Sequence, residues 1–270
     1  MLQLIVDKQQ NLKEFTENNY AQGSFFWNYL IKNREIKVNG KRVDKDIPLY
    51  IGDIVCYYLT KKQEEKPAFY TVYEDENILV IDKESGVNSE AVFASLSRGR
   101  ECYFIHRLDR NTKGLMIFAL NERTETALLN AFKERTAEKK YHALCFGSFP
   151  KEQDVLTGYL KKSSEKAQVQ VFDKPQKESE KIITEYRVLE KKEGTTLVEV
   201  TLHTGKTHQI RAHLAHIGCP VVGDMKYGDE LKNKGIHCSR QQLVSYSLQF
   251  LNLKYLGYLN GKVFQSNFDI

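Results

Sequence analysis

Residues 104–119 read FIHRLDRNTKGLMIFA, a charged turn that runs directly into an apolar segment. The turn holds one acid, Asp109, and its cations are Arg107, Arg110 and Lys113. Gly114 opens the apolar segment, which predicts a buried strand. A carboxylate held among cations at the mouth of a strand is typical of a nucleophile or general base that approaches a polyanion. A surface turn with one structural ion pair is the alternative, so other segments have to decide.

Composition indicates a globular protein with one large domain, or a large and a small one. Of the 270 residues, 41% are apolar and 28% are charged, and the formal net charge is +5. This mild excess of cations permits an acidic partner such as RNA without requiring one.

The cysteines and the apolar runs bear on the compartment. The five cysteines are scattered and form no C-x-x-C pair. This predicts reduced thiols rather than a disulfide framework or a zinc ribbon. The apolar run at residues 2–6 is too short for a signal peptide, and no run approaches the length of a membrane span. We therefore expect a cytoplasmic protein without membrane contact, and a monomer by default.

Residues 1–60 predict a small α+β unit. The predicted elements are helices over 11–19 and 25–33 and strands over 35–38, 41–43 and 54–59. Ser24 is the expected N-cap of the second helix, and Asn39-Gly40 is a strong signal for a two-residue hairpin. The polar segment 61–68 ends before a new run of strands and is expected to be a linker.

Residues 69–270 predict an α+β domain with a largely antiparallel, mixed sheet. The predicted strands cover 69–73, 78–82, 114–120, 141–146, 169–172, 182–189, 197–202 and 243–250. The predicted helices cover 91–96, 121–137 and 207–216, and Asn121 is the expected N-cap of the second of these.

Two further segments carry side chains suited to chemistry. Tyr141 follows two lysines at the start of a predicted strand, where it is either an edge residue or a ring that stacks on a base. Residues 202–213 read LHTGKTHQIRAH. Gly205 and Thr207 are expected to form a turn and an N-cap there, so that free N–H groups and Arg211 face an anion. A well-capped structural helix is the alternative for this second segment.

Four histidines suggest a metal-dependent hydrolase as a competing hypothesis. They are His203, His208, His213 and His216. Their spacing does not match the H-E-x-x-H pattern, and no carboxylate or cysteine completes a ligand set. Motifs for dinucleotides, P-loop phosphates and acyl-enzyme chemistry are absent as well. Neither a metal nor an organic cofactor is therefore expected.

Four motifs in one order resemble the RluA-type pseudouridine synthases. They are HRLD-x-x-T-x-GL at 106–115, K-x-Y at 139–141, TGKTHQIR-x-H at 204–213 and GD-x-x-YG at 223–228. The resemblance covers roughly residues 69–250. It implies the pseudouridine synthase fold and an enzyme that converts uridine within an RNA chain to its C5-linked isomer, without a cofactor.

The resemblance also implies roles for particular residues. Asp109 is implied as the essential catalytic acid and Arg211 as its ion-pair partner. Tyr141 is implied to stack on the uracil and to assist removal of the C5 proton, and Arg107 to hold the extruded nucleotide. Further cations expected to face the RNA are Arg110, Lys113, Lys140 and Lys206. Lys113 departs from the small hydroxyl residue that is usual in the family.

Residues 1–60 resemble the small RNA-binding module named after ribosomal protein S-four, in which the second helix and the hairpin face RNA. The matching cations here are Arg34, Lys37, Lys41 and Arg42. The second helix is unusually aromatic, so its rings are expected in the core or in a contact between domains. Ribosomal RNA is the expected partner, with transfer RNA as the alternative. A catalytically silent RNA-binding or ribosome-assembly protein on the same fold is the competing function.

Overall fold

The computed structural model describes residues 1–163 and 168–270, and within them the chain begins with a four-stranded antiparallel sheet in the order β1-β6-β3-β4. The elements of this part are β1 (Leu2–Ile5), β2 (Gln10–Asn11), α1 (Leu12–Asn19), α2 (Ala21–Phe25), α3 (Trp27–Lys32), β3 (Ile36–Val38), β4 (Lys41–Val43), β5 (Pro48–Leu49) and β6 (Ile54–Tyr57). The predicted hairpin is confirmed, because Asn39 and Gly40 both have positive φ between β3 and β4. Leu12, Leu30 and Tyr57 lie in the core of this part.

The helix predicted over 25–33 is wrong in its start. The chain breaks at Phe26 into the two short helices α2 and α3, and Ser24 lies inside α2 rather than at an N-cap. The Ser24 hydroxyl instead donates to the carbonyl of Gly86 at 3.3 Å. Phe25 packs against the core of the large sheet, while Trp27 packs against the small core. The aromatic rings of this segment are therefore packing residues, as predicted.

The large sheet follows, in the order β13-β12-β14-β15-β11-β16-β10-β8-β7, with β17 beside β16 and β9 beside β10. Its elements are β7 (Phe69–Glu74), β8 (Ile78–Lys83), α5 (Ser89–Ser97), β9 (Tyr103–Phe104), β10 (Lys113–Ala119), α6 (Glu122–Glu134), β11 (Ala137–Phe146), β12 (Gln153–Lys162), β13 (Val169–Phe172), β14 (Glu180–Lys192), β15 (Thr195–Leu202), α7 (Gln209–His216), α8 (Glu230–Gly235), β16 (Leu243–Phe250) and β17 (Val263–Gln265). All the pairings are antiparallel except β10 with β16. The predicted α+β class with a mixed, largely antiparallel sheet is confirmed.

Some elements differ from the prediction. The sequence analysis missed β12, and the expected linker contains the short helix α4 (Lys61–Glu64), which begins with a capping box at Thr60. Asn121 caps α6 as predicted, since its side chain accepts from the amide of Thr124. That helix ends at Glu134 because Arg135 adopts a left-handed conformation with a φ of 61°. In the described ranges, no helix is long and apolar enough to cross a membrane.

The parallel contact between β10 and β16 fixes the loop that precedes β10. Gly114 has a φ of 112°, and a Cβ atom at this position would lie 2.4 Å from the carbonyl oxygen of Ser245. Only glycine permits this approach. Ser245 pairs with Gly114 on one side and with Tyr141 on the other, so β16 sets the loop at 106–112 beside the middle of β11.

Candidate active site

A cavity of about 470 Å³ opens between the loop at 106–112, β11 and the start of α7. Its lining includes predicted site residues from all three segments, namely Arg107, Asp109, Tyr141, Lys206 and Arg211. The fold thus brings together residues that lie up to 104 positions apart in the chain. Asp109 therefore does not lie in a plain surface turn, and Tyr141 is not an edge residue.

The loop that carries Asp109 is held from several sides. The amide of Thr112 donates to the carbonyl of Asp109, which closes a turn. The hydroxyl of Ser89 both accepts from the amide of Leu108 at 2.9 Å and donates to its carbonyl at 3.0 Å. The buried ammonium of Lys83 donates to the carbonyl of Arg110 at 3.2 Å. These bonds fix the backbone on both sides of Asp109.

Arg211 orients the carboxylate of Asp109. Its Nη1 donates to Asp109 Oδ2 at 2.8 Å. Its Nε and Nη2 donate to the two carboxylate oxygens of Asp224 at 2.6 and 2.9 Å. The Arg211 side chain is 8% exposed and that of Asp109 is 20% exposed. A bidentate bond to one acid thus leaves a single N–H group of the guanidinium aimed at the other.

Burial and ion pairing oppose each other in this group of charges. Burial disfavours the charged form of Arg211, but the hydrogen bonds and charges of Asp224 and Asp109 outweigh it and raise the pKa of the guanidinium. Burial likewise raises the pKa of Asp224, but Arg211 outweighs it, so the pKa of this acid lies below its usual value. Both groups therefore stay charged near neutral pH.

Asp224 is a site residue to which the sequence analysis gave no role. Its carboxylate also accepts from the backbone amides of Lys226 and Tyr227, at 2.8 and 3.1 Å. The signal was present, because Asp224 is the acid of the motif at 223–228 and glycines flank that motif.

The start of α7 differs from the prediction. Thr207 is not the N-cap: the helix begins after His208, which has a φ of 57° and makes no side-chain capping bond. Gln209 orders this turn instead, since its Oε1 accepts from the hydroxyl of Thr204 at 2.9 Å and from the amide of Lys206 at 3.1 Å. His208 Nε2 lies 3.9 Å from Asp109 Oδ2, and burial is the main cause that lowers the pKa of its ring.

Tyr141 lies in the middle of β11, rather than at its start, and points into the cavity wall. It is 6% exposed. Burial is the main cause that raises the pKa of its hydroxyl to about 12. A hydrogen bond with Ser245 opposes this shift, and the charge of Asp109 adds to it. The phenol is therefore neutral at physiological pH.

His106 forms another part of the wall. Its ring stacks on Phe132 with the centroids 4.8 Å apart. Its Nε2 accepts from the amide of Ile117 at 3.2 Å, which requires an unprotonated nitrogen. Burial, together with the nearby charge of Lys139, lowers the pKa of this ring to about 3. His106 is thus a neutral residue of the cavity wall.

The predicted RNA-facing cations separate into two groups. Arg107 and Lys206 line the cavity, where they pair with Glu90 and Glu180 respectively. The other three do not line this cavity and have partners elsewhere. Arg110 pairs with Glu17, Lys113 donates to the carbonyl of Asp269 at 2.6 Å, and Lys140 lies near Glu138 and Glu199.

Lys140 was predicted to face the RNA, but β11 places the adjacent Lys139 in the cavity. Successive side chains of a strand point to opposite faces. Lys139 therefore shares the cavity face with Tyr141, and it lines the cavity. Lys140 points to the opposite face of the sheet, where its two acidic neighbours lie. Lys139 is a functional candidate that the sequence analysis missed.

The cations predicted in the first sixty residues lie on and beside the hairpin of β3 and β4. Lys37 and Arg42 are cross-strand partners, and both lie over the ring of Tyr58, at 5.3 and 5.9 Å from its centroid. Arg34 pairs with Asp44 at 2.6 Å. Lys41 is exposed at the turn.

The four histidines of the metal hypothesis bind separate partners. These are Glu185 for His203, Tyr227 for His208, Thr184 for His213 and Asp173 for His216. Across residues 1–163 and 168–270, no group of three or more histidine, cysteine or acidic residues is arranged to hold a metal ion.

Known proteins match this chain over most of its length. A family model described as RNA pseudouridylate synthase matches residues 65–216. The ribosomal large subunit pseudouridine synthase C of Vibrio cholerae is 32% identical over 226 residues, which are 74% of this chain and 70% of that protein. The ribosomal large subunit pseudouridine synthase D of Buchnera aphidicola is 29% identical and is matched over 69% of its length.

A solved structure shares the fold. The human RNA pseudouridylate synthase domain containing 1 superimposes with a TM-score of 0.59 at 23% identity, over 75% of this chain and 90% of that one. The chain belongs to the RNA pseudouridylate synthase family. It is an RNA pseudouridine synthase, an isomerase that acts on uridine within RNA.

Proposed function

We propose that this enzyme isomerises a uridine of large-subunit ribosomal RNA and that Asp109 is its essential catalytic acid. The observation that carries the proposal is the single hydrogen bond by which Arg211, itself fixed by Asp224, orients Asp109 in the cavity. The target rests on the relatives, because those of Vibrio cholerae and Buchnera aphidicola are named for the ribosomal large subunit.

Asp109 has the properties that breakage of a glycosidic bond demands of an acid. Its carboxylate lies beside the guanidinium of Arg211. One oxygen of that carboxylate accepts from Arg211, and the side chain keeps access to the cavity. An ionised oxygen beside the ribose can attack the sugar, add to the base or remove a sugar proton, and each of these roles needs the same geometry.

Tyr141 is proposed to cover the uracil ring. Its position on the cavity face of β11 suits stacking on an extruded base, and stacking offsets part of the cost of extrusion. The hydroxyl enters the reaction in its neutral form, because burial raises its pKa to about 12. We therefore assign it to a hydrogen bond that assists departure of the C5 proton.

We propose a two-domain organisation with a small RNA-binding module. The module covers residues 1–60, 61–68 connect it, and 69–270 form the catalytic domain. The module resembles the S-four-like fold in its helices and hairpin, and its RNA-facing cations are proposed to be Arg34, Lys37, Lys41 and Arg42. The enzyme is proposed to act as a monomer.

Release of hydrogen from C5-labelled uridine in ribosomal RNA tests the catalytic assignment. The purified protein should release label without added metal or cofactor. Asp109→Asn should abolish release but leave RNA binding and the melting temperature near those of the wild type. Asp154→Asn, at an exposed acid that pairs with Lys151, is the matched control and should retain full release. Release by Asp109→Asn at the wild-type rate would overturn the assignment.

Pseudouridine maps of total RNA, with and without the gene, test the target. Loss of a large-subunit ribosomal site supports the proposal. Loss confined to transfer RNA contradicts the ribosomal target but keeps the activity. Unchanged maps together with intact RNA binding would favour the catalytically silent RNA-binding alternative.

A further inference from the structure

Lys139 places a half-buried ammonium group at the edge of the active-site cavity. It lies on the cavity face of β11, two residues before Tyr141, and its Nζ lies 5.0 Å from the centroid of the Phe132 ring. That ring partly stabilises the cation. Burial alone lowers the pKa of the amine, and no nearby acid offsets that effect.

The other cations that line the cavity either pair with a carboxylate or are exposed to solvent. Arg211 has Asp109 and Asp224, Arg107 has Glu90, and Lys206 has Glu180. Lys133 is exposed to solvent. Among the residues that the structure describes, no carboxylate lies within 4.0 Å of Lys139. A partly buried charge without a protein partner is available to an anion that arrives with the substrate.

Gly205 leaves room for such a partner. A Cβ atom on Gly205 would lie 3.4 Å from Lys139 Nζ. Any larger residue at this position would therefore place a carbon atom against the ammonium group. The φ of Gly205 is not in the left-handed region, so backbone conformation does not require glycine here. A methyl group at this position would be in ordinary van der Waals contact with the ammonium and would occupy the space beside it.

The position of Lys139 also matches the path of an RNA strand. A groove of about 1090 Å³ adjoins the cavity, and the two share a wall formed by Phe132, Lys139, Leu202, Gly205 and Lys206. Arg135 and Lys181 also line this groove, as do the acids Glu138, Glu180 and Glu185. A strand that lies in the groove and turns one base into the cavity must pass over this shared wall, where its backbone phosphate meets Lys139.

We propose that Lys139 and Gly205 form a phosphate site that binds the phosphodiester next to the extruded uridine. This inference rests on the proposed function, since it presumes that the uridine enters the cavity beside Asp109. Lys139 supplies a point charge and Gly205 the space for a phosphate oxygen. The site holds the backbone while Tyr141 holds the base, so that the ribose is fixed between them.

A double-mutant cycle tests the contact. The probe is a stem-loop of ribosomal RNA around the uridine that loses its modification in the gene deletion. The probe is used intact, or with one uncharged methylphosphonate at the linkage on the 5′ or the 3′ side of that uridine. Affinity is measured in an Asp109→Asn background, so that no turnover occurs. Lys139→Gln should weaken binding of intact RNA about tenfold and reduce the salt slope by about 0.7 to 1.

The cycle gives the decisive result. In the protein that retains Lys139, one of the two methylphosphonates should weaken RNA binding about tenfold. In Lys139→Gln, the same methylphosphonate should cause no further loss of affinity. Lys139→Arg keeps the charge and should retain most of the affinity. Gly205→Ala leaves every charge in place and should still weaken binding of intact RNA. The control is Lys140→Gln, one residue away on the opposite face, which should bind as the parent does.

Two outcomes would overturn the inference. One is additive losses at both linkages. The other is an unchanged salt slope in Lys139→Gln when its melting temperature matches that of the parent. The proposed function is tested apart from this by release of C5 hydrogen from the wild type. Release with an additive cycle removes only the phosphate site, whereas absence of release removes the proposed function.

Discussion

Asp224 takes two of the hydrogen bonds of Arg211, at 2.6 Å from Nε and 2.9 Å from Nη2, and leaves Nη1 to donate to Asp109. Asp224 is fully buried, whereas Asp109 faces the cavity. The two acids thus bind different parts of the guanidinium: Asp224 fixes its plane from inside the protein, and Asp109 accepts from one of the N–H groups of Nη1 in the cavity. Asp224 acts on the chemistry through Arg211 and is a positioning residue.

Asp224→Asn should lower turnover far more than it lowers RNA affinity. The amide can accept only one of the two guanidinium bonds, so Arg211 turns and the Asp109 carboxylate loses its orientation. We expect kcat to fall by about 100-fold, as for a displacement near 1 Å, while KM changes little. The free energy of unfolding should fall by about 3 kcal/mol, because a buried charge loses its partner. Single-turnover release and urea unfolding measure these effects.

Asp229→Asn is the matched control for this prediction. Asp229 lies five positions further along the chain, where it caps α8 by accepting from the amide of Lys232. Its loss should cost about 1 kcal/mol or less and leave turnover unchanged. Equal kcat for Asp224→Asn and the wild type would contradict the positioning role.

Tyr141 allows the ring and the hydroxyl to be tested separately. Tyr141→Phe keeps the stacking surface, so RNA affinity in the Asp109→Asn background should stay within about twofold. Its turnover should fall by about 100-fold, the scale of a group that assists proton transfer. Tyr141→Ala should weaken binding as well, by about 1 to 3 kcal/mol for the lost stack.

The pH profile distinguishes two forms of the hydroxyl. Because the pKa of Tyr141 is raised to about 12, the fraction of phenolate rises tenfold per pH unit throughout pH 6 to 9. A phenolate base would make single-turnover release rise in the same proportion. We expect no such rise, since the neutral hydroxyl is constant over this range, and a tenfold increase per unit would contradict the assignment.

We expect the protein to lose stability in acid because of the buried ring of His106. Its folded pKa is about 3, below an ordinary value of 6.5, so the unfolded chain binds more protons between these limits. The stability that comes from the neutral ring is therefore fully present above pH 6.5 and is lost as pH falls toward 3. His213 adds to the effect, since burial lowers its pKa to about 4.

Urea unfolding at pH 7.5, 6.5, 5.5 and 4.5 measures this slope. His106→Gln should be less stable than the wild type at pH 7.5. Between pH 6 and 4.5 its stability should change less steeply, by up to about 1.4 kcal/mol per pH unit for one proton. Parallel slopes for His106→Gln and the wild type would contradict the prediction.

The main parts of the site could be predicted because each lies in a motif with strong local order. Asp109 stands in a turn before a buried strand, and Arg211 stands in a helix after a glycine turn. Each segment indicated a polar site by itself, and the resemblance to one family joined them. The large sheet was predicted for a similar reason, since most of its strands are runs of apolar residues. The strand β12 was missed because its Val155 is exposed and its apolar residues form no such run.

The remaining features depend on contacts that local sequence does not contain. Lys139 and Lys140 are the same residue type in adjacent positions, and the facing of β11 places Lys139, the lysine of the K-x-Y motif, in the cavity. Asp224 lies 13 positions from Arg211, with a loop between them, and its pairing follows from the tertiary fold. Arg110 adjoins Asp109 in the sequence and was predicted to contact RNA for that reason, whereas its partner Glu17 lies 93 positions away.

The ion pair between Arg110 and Glu17 joins α1 to the loop at 106–112, which carries Asp109. Arg110 also donates from Nε to the carbonyl of Gly86 at 3.1 Å and from Nη2 to the carbonyl of Ser24 at 3.3 Å. The pairing therefore crosses between the first sixty residues and the loop that holds Asp109. Coupling between these parts should be measurable as an energy shared by the two side chains.

A double-mutant cycle with Glu17→Gln and Arg110→Met measures that energy by urea unfolding. Each single change should destabilise the protein, and the pair should show an interaction energy of about 1 kcal/mol, as for contacting charged residues. Arg110→Met should also slow turnover, because Arg110 follows Asp109 directly and anchors its loop. Arg34→Met, at an exposed pair with Asp44, should show a coupling near zero with Asp44→Asn. Strict additivity of Glu17→Gln and Arg110→Met would mean that this contact does not join the two parts energetically.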